Sequence, residues 1–409
     1  MKRGGVLALL TTGHAFEHWY LGLMGPLMPF VAQDLNFNLT QVGILVTGRA
    51  FFGAFSSAAS GWAADRLGSG RGMLVFCLAA TALLYCGIAM APGFAILALI
   101  FWASGLSGQT WHPPAMGLLG EQFRERKGFA FGIHGTGATV GQSIAPLVAG
   151  YMLLLVDWRQ VILWNTLPMF AVAAMLAAWL PPFQPAAEKG ASGASFGGWL
   201  GQVRQSLIQN PRFVAICCAS GVRTLSQHAV STFLPFLLIR EFGAEASWVG
   251  FALSVFIAAC ILPETLMGYL SDRIPRQNIL FSGMGVGALL LFLIPAWGGS
   301  PVLPVLLALL GGLFISMRSV IFAAGIEISP PSLGGSVVGI IFMTNQIFVG
   351  AGALAGGILA DLFGPKAIFW FIGGLILLFM PVNLLLWKIP PEVAVGPAAP
   401  EAGPAAPSP

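Results

Sequence analysis

The stretch Gly61-Trp-Ala-Ala-Asp65-Arg66-Leu-Gly68-Ser-Gly-Arg71 has a second copy in this chain, Gly268-Tyr-Leu-Ser-Asp272-Arg273-Ile-Pro-Arg276. Each copy lies between two long apolar runs, so each reads as a short charged loop joining two buried helices. The copies are 207 residues apart, and the same offset pairs Gly43 with Gly250, Gly132 with Gly339 and Gly150 with Gly357. Pro29-Phe30 and Pro235-Phe236 pair at 206, as one inserted residue between the seventh and eighth apolar runs would produce. A carboxylate, an arginine and several glycines recurring at one spacing over half a chain mark an internal duplication.

Composition says what is duplicated. Of 409 residues, 57% are apolar and 8% charged, whereas a soluble domain carries roughly a quarter charged residues. So few charges cannot cover a globular surface, and most of this one must face lipid. A span needs about 20 apolar residues. Such runs lie near 6–31, 41–64, 72–91, 94–118, 128–152, 160–181, 211–238, 247–270, 278–297, 302–326, 336–360 and 367–388. The first is too long for a signal-peptide core and reads as a retained span. The expected architecture is an all-α membrane protein of twelve helices in two parallel six-helix repeats, 1–183 and 211–389. Residues 184–210 read as a linker, and 390–409, rich in Pro and Ala, as a disordered tail. Each half has an even number of spans, so duplication preserves orientation and a solute site is expected between the halves.

Thirteen of the nineteen Lys and Arg residues fall at loops or ends on one side, and only Arg159, Arg240 and Lys366 on the other. The positive-inside rule then puts both termini and the linker in the cytoplasm, in a plasma (inner) membrane. No basic cluster resembles a nucleic-acid footprint. The five cysteines sit in apolar runs, and the five histidines are spread over four helices without Cys or Asp at ligand spacing. Neither a metal nor another cofactor is expected. No nucleophile motif and no Walker loop is present, which argues against an enzyme and against ATP-driven pumping. A monomer whose partners are lipid, protons and a small solute is the expectation.

The paired loops resemble the G-x-x-x-D-R-x-G-R-[RK] loop of the major facilitator superfamily, and the resemblance covers residues 5–389. It implies a cytoplasmic latch in which Asp65 faces the start of the eleventh helix and Asp272 the start of the fifth. Gly61 and Gly268 would allow close helix approach, with Arg66, Arg71 and Arg273 beside them. The fifth run, Gly132-x8-Gly141-x3-Ala145-Pro146-x2-Ala149-Gly150, resembles the antiporter motif of that family, with alanine at two glycine positions. In the family that pattern accompanies export; a plain small-residue packing seam is the other reading. The opening His14-Ala-Phe-Glu17-His18-Trp-Tyr20 and His112-Pro113 look like fosmidomycin-resistance-type efflux proteins.

Charge within a span is costly and needs a partner or water. In the family fold the first, fourth, seventh and tenth helices line the cavity. Here they carry His14, Glu17 and His18; His112; Arg223, Gln227 and His228; and Arg318. His14, Glu17 and His18 stand at i, i+3, i+4, one stripe of a helix, and Arg223 and Gln227 at i, i+4. Glu17 and Arg223 are repeat-equivalent at offset 206, with Arg49 a rival partner for Glu17. In the functional reading the arginines attract an anion through planar, bidentate donation, while Glu17 and the histidines move protons. In the other reading Glu17 joins Arg49 or Arg223 in a structural bridge. Glu264, two turns before Asp272, is assigned to the latch and His134 to structure. The resulting expectation is proton-coupled efflux of a small anionic organic solute, with an importer or exchanger of a carboxylate or other metabolite as the alternative.

Overall fold

Lipid offers the backbone no hydrogen bonds, so every spanning segment must satisfy its own, and a helix does so within one segment. The computed structural model describes residues 2–67, 70–183, 201, 204–329 and 334–388, and among these there is no strand. Twelve helical rods follow one another there. The first six are α1 (Arg3–Asp34), α2 (Leu39–Leu67), α3 (Gly70–Ala89), α4 (Phe94–Gln122), α5 (Lys127–Met152) and α6 (Trp158–Trp179). The second six are α7 (Pro211–Phe242), α8 (Ala246–Ser271), α9 (Arg276–Trp297), α10 (Leu303–Glu327), α11 (Gly334–Phe363) and α12 (Lys366–Phe379). Eight of the rods are apolar enough to cross a membrane by length and composition alone. The others, α1, α2, α5 and α7, carry the charges or glycines that lower their hydropathy. Bulky apolar groups point outward, Leu155 and Leu262 being 84% and 82% exposed, which water would not tolerate on this scale. Apart from residue 201 and the stretch 204–210, the expected linker lies outside the described residues, as does the expected tail at 390–409.

Three rods are broken, each for a local reason. Pro113 and Pro114 offer no N–H to the carbonyls four residues earlier, and α4 is interrupted between Gly108 and His112. Pro263 does the same to the Ala259 carbonyl, and α8 breaks between Ala258 and Ile261. α10 passes through a π-turn at Leu310–Phe314 and a 3-10 turn at Ile315–Met317, irregularities that recur at functional sites.

The two halves meet along two seams that are copies of each other. A Cβ at Gly43 of α2 would strike the Ala353 carbonyl of α11, and one at Gly357 of α11 would strike the Leu39 carbonyl of α2. On the other side, Gly250 of α8 abuts the Pro146 carbonyl of α5, and Gly150 of α5 abuts the Ala246 carbonyl of α8. Adding 207 to 43, 39, 146 and 150 converts one seam into the other, so the duplication read from the sequence is also a symmetry of contacts. Both seams lie in the half of the protein away from the chain's start, called distal below. Toward the proximal end, where α1 and α5 begin, Gly128, Gly132, Gly135 and Gly339 each face open space. The halves are therefore closed distally, whereas these four proximal glycines meet no neighbour among the described residues. A larger residue at Gly150 blocks one seam: Gly150→Leu should lower the thermal midpoint, since overpacking costs about 1–3 kcal/mol. A midpoint matching wild type would contradict the packing described.

The α2–α11 seam carries a lock that its copy lacks. Asp361 Oδ1 accepts the Leu39 backbone N–H at 3.0 Å, and Oδ2 accepts the Thr40 N–H at 2.8 Å and its hydroxyl at 2.6 Å. This carboxylate caps the N-terminus of α2 from another helix, satisfying two orphan donors and the positive end of the dipole. The repeat-equivalent position is Leu154. Asp361→Asn is expected to weaken distal closure by about 0.5–2 kcal/mol, raising distal opening roughly 2- to 30-fold. Thiol labelling of cysteines introduced at the distal mouth reads this; unchanged labelling in a folded variant would count against the lock. A second distal contact, the ion pair between Arg159 and Asp34, holds the Asp34 carboxyl below its usual range. Its contribution is present above the ordinary aspartate pKa and fades as pH falls through the lowered one.

Candidate functional site

Two polar clusters face one another across the interface. The first is built on α1, where one helical turn presents His14, Glu17 and His18 on one stripe. His14 is 6% exposed, and its Nδ1 donates to the His134 backbone carbonyl of α5 at 2.8 Å. A carbonyl can only accept, so that contact assigns the proton to Nδ1 and leaves Nε2 with a bare lone pair. The His14 and His134 rings stack with centroids 4.1 Å apart, and Trp111 Nε1 donates to His134 Nε2 at 3.4 Å. The indole of Trp111 thus holds His134, which holds His14. Gly13 leaves room for this indole, against which a Cβ would collide.

The break in α4 brings His112 to the same place. Its ring centroid lies 5.3 Å from that of His14 and 6.2 Å from that of His18, while His14 and His18 are 4.9 Å apart. Glu17 is 6% exposed. Its Oε2 lies 3.1 Å from His18 Nε2, close enough for an ion pair but off hydrogen-bonding geometry. Its Oε1 faces Gly108, where a Cβ would come within 3.0 Å. The ligand-type atoms of His14, Glu17, His18 and His112 all lie within 4.8 Å of one another. Arg49 approaches from α2, its Nε donating to Ser104 Oγ at 3.3 Å and its guanidinium 5.8 Å from the Phe101 ring.

The second cluster belongs to the other half. Arg223 is 5% exposed; its Nη1 donates to Gln227 Oε1 at 3.2 Å and to the Ile315 carbonyl at 3.0 Å, and its Nη2 to Thr224 Oγ1 at 2.9 Å. The Ile315 carbonyl lies in the 3-10 turn of α10, which presents it to Arg223. One turn on, Arg318 grips Glu264 with both prongs, Nε to Oε1 at 2.7 Å and Nη2 to Oε2 at 2.9 Å. Ser319 Oγ donates to the Glu264 backbone carbonyl at 3.1 Å. His228, next to Gln227 on α7, is half-buried.

Some sequence expectations take a different form. Glu17 is not bonded to Arg223, whose Nη1 and Nη2 donate to Gln227, Ile315 and Thr224 and whose Nε has no partner among the described residues. Glu264 is not a latch residue here, because the break in α8 turns it toward Arg318. His134 supports the cluster through its carbonyl and ring. Of the loop motifs, Arg71 Nη1 donates to the Leu180 and Ala177 carbonyls at the end of α6. Arg273 lies over the Tyr269 ring, and Gly268 approaches Ser319. Asp272 is 3.5 Å from Arg276, which also pairs with Glu327 at 2.7 Å, rather than at the start of α5. The side chains of Gly61, Asp65 and Arg66 lie outside the described residues. In α5, Gly141 abuts the Ala15 carbonyl, and Pro146 and Gly150 form the α8 seam, whereas Gly132 touches nothing. Asp361 was not among the candidates; a carboxylate three residues before Gly364 at a helix end is its only local signal.

The family description Major Facilitator Superfamily matches residues 10–347 and 212–409. The probable nitrate/nitrite transporter NarK2 of Mycobacterium tuberculosis (strain CDC 1551 / Oshkosh) is 26% identical over 305 residues, 70% of this chain and 71% of that protein. The fosmidomycin resistance protein of Escherichia coli (strain K12) is 21% identical over 391 residues, 93% of each. A bacterial homologue of the human lysosomal transporter Spinster, solved inward-facing and occupied, superposes with a TM-score of 0.80 at 14% identity, covering 95% of this chain and 98% of that one. Its fold, its duplicated loops and this match across its length together make the chain a member of the Major Facilitator Superfamily, an integral-membrane transporter of small molecules.

Proposed function

We propose that this transporter moves a small organic anion out of the cell in exchange for protons, by alternating closure of its two ends. The observation that carries the reading is the bidentate grip of Arg318 on Glu264. A carboxylate already occupies a guanidinium fork on the cavity wall, and a carboxylate or similar anion entering from the proximal end can replace it with the same geometry. Arg318 and Glu264 side chains are 47% and 23% exposed, so the pair is reachable by water and contributes only about 0.2–1 kcal/mol to folding. Displacing it is cheap.

Opposite the fork, Glu17 and its histidines supply groups that bind protons in one state and release them in another as charge enters or leaves the cavity. On the positive-inside reading the proximal end is cytoplasmic, and with the distal seams packed the cavity would load from within. Export also draws on the α5 glycine pattern and on the likeness to a fosmidomycin resistance protein. The second reading, import or exchange of a carboxylate or other metabolite, draws on the likeness to a protein named as a nitrate/nitrite transporter. Latching through Asp65 and Asp272 belongs to the opposite conformation, closed at the cytoplasmic end.

The two directions separate in proteoliposomes. For an antiporter, an acidic interior drives anion accumulation and the added anion speeds loss of internal protons. For a symporter, only an acidic exterior drives uptake. Absence of proton movement with every transported anion would remove the coupling.

A further inference from the structure

We propose that His14, Glu17, His18 and His112 form a binding site for a transition-metal dication of the zinc, cobalt and nickel class. The donor set is three imidazoles and one carboxylate, which suits those ions and not magnesium or calcium, whose shells are built from oxygen. His14-Ala-Phe-Glu17-His18 puts two imidazoles one turn apart on one helix face, the spacing by which helical histidine pairs share a metal. His112 completes the set from α4, where the proline break aims it at α1.

Geometry and unmet bonding both point to an occupant. All four donor atoms lie within 4.8 Å of one another. A tetrahedral ion with bonds of about 2.0–2.1 Å sets its ligands roughly 3.3 Å apart. His18 Nε2 and Glu17 Oε2 already stand at 3.1 Å, and small side-chain rotations bring in the rest. His14 Nε2 and Glu17 Oε2 are buried without a hydrogen bond among the described residues, on side chains only 6% exposed. The support behind His14 is the one metal-binding imidazoles use: its other nitrogen donates to a backbone carbonyl, fixing the tautomer and the ring. His134 and Trp111 stack against it. Arg49 and Arg318 are the nearby like charges. Glu17 and Glu264 balance them, and an anion in the cavity would supply countercharge to the dication.

The site stands on this geometry whether or not a solute crosses, so its test is a binding measurement. The full chain, with any histidine tag removed and metal stripped by chelator, is titrated in detergent with zinc or cobalt chloride under equilibrium dialysis. One saturable ion per chain is expected, undisturbed by a thousandfold excess of magnesium. His14→Gln and His112→Gln should each weaken binding at least tenfold, whereas the double variant Cys217→Ser, Cys218→Ser should bind as wild type. In wild-type protein, bound cobalt should show tetrahedral visible absorption without thiolate charge transfer, a readout that needs no variant to fold. No saturable binding, binding lost with the cysteines, or a thiolate spectrum would overturn the proposal. Anion flux that persists in chelator-stripped protein with no metal site would sink the metal and leave the transport reading intact. Stoichiometric binding without flux of any anion would do the reverse.

Discussion

Glu17→Gln is expected to reduce pH-gradient-driven solute movement by more than about tenfold while leaving solute exchange at equal pH largely intact. The amide matches the carboxylate in size and can still contact His18 Nε2, which lies 3.1 Å from Oε2. It also fits the space left by Gly108, so folding should survive. What it cannot do is gain and lose a proton. Initial rates in proteoliposomes, measured with and without a pH gradient, read the two effects separately. If Glu17 were only one half of a brace with Arg49, Glu17→Gln and Arg49→Lys would behave alike, with parallel falls in thermal midpoint and in both rates.

Arg318→Lys should act on binding instead. Charge-assisted hydrogen bonds are each worth about 1.5–3 kcal/mol, so replacing a two-pronged fork by a point charge should raise the KM for the anion roughly 10- to 150-fold. Glu264→Gln should work in the opposite direction, because the residue that occupies the fork at 2.7 and 2.9 Å loses its charge. Opposed shifts in KM from two halves of one ion pair are not what a structural bridge produces. Equal losses of stability with KM unchanged in both variants would assign the pair to packing.

The fold was legible because its signals are periodic. Apolar runs of span length and glycines at a constant offset need no three-dimensional information, and the offset reappears in the seams Gly43–Ala353 and Gly250–Pro146. The stripe of His14, Glu17 and His18 was legible for the same reason, as was the i, i+4 bond between Arg223 and Gln227. What the sequence concealed depends on broken helices. Equal depth suggested that Glu17 meets Arg223, but Arg223 turns to the Ile315 carbonyl at the 3-10 turn of α10. Proximity to Asp272 along the chain suggested a latch role for Glu264, but the break in α8 aims it at Arg318. Ligand-spacing rules look within one segment, so they could not join His112 to three residues nearly a hundred positions earlier.

The central claim is that protons and an organic anion pass through one cavity in opposite directions. Its most direct measurement is internal pH in proteoliposomes with an acidic lumen as organic anions are added one at a time outside. The account predicts that at least one anion accumulates inside and speeds lumenal alkalinisation, and that both effects vanish with Glu17→Gln. An anion that enters with no change in proton flux, in wild-type protein whose fold is intact, would contradict it.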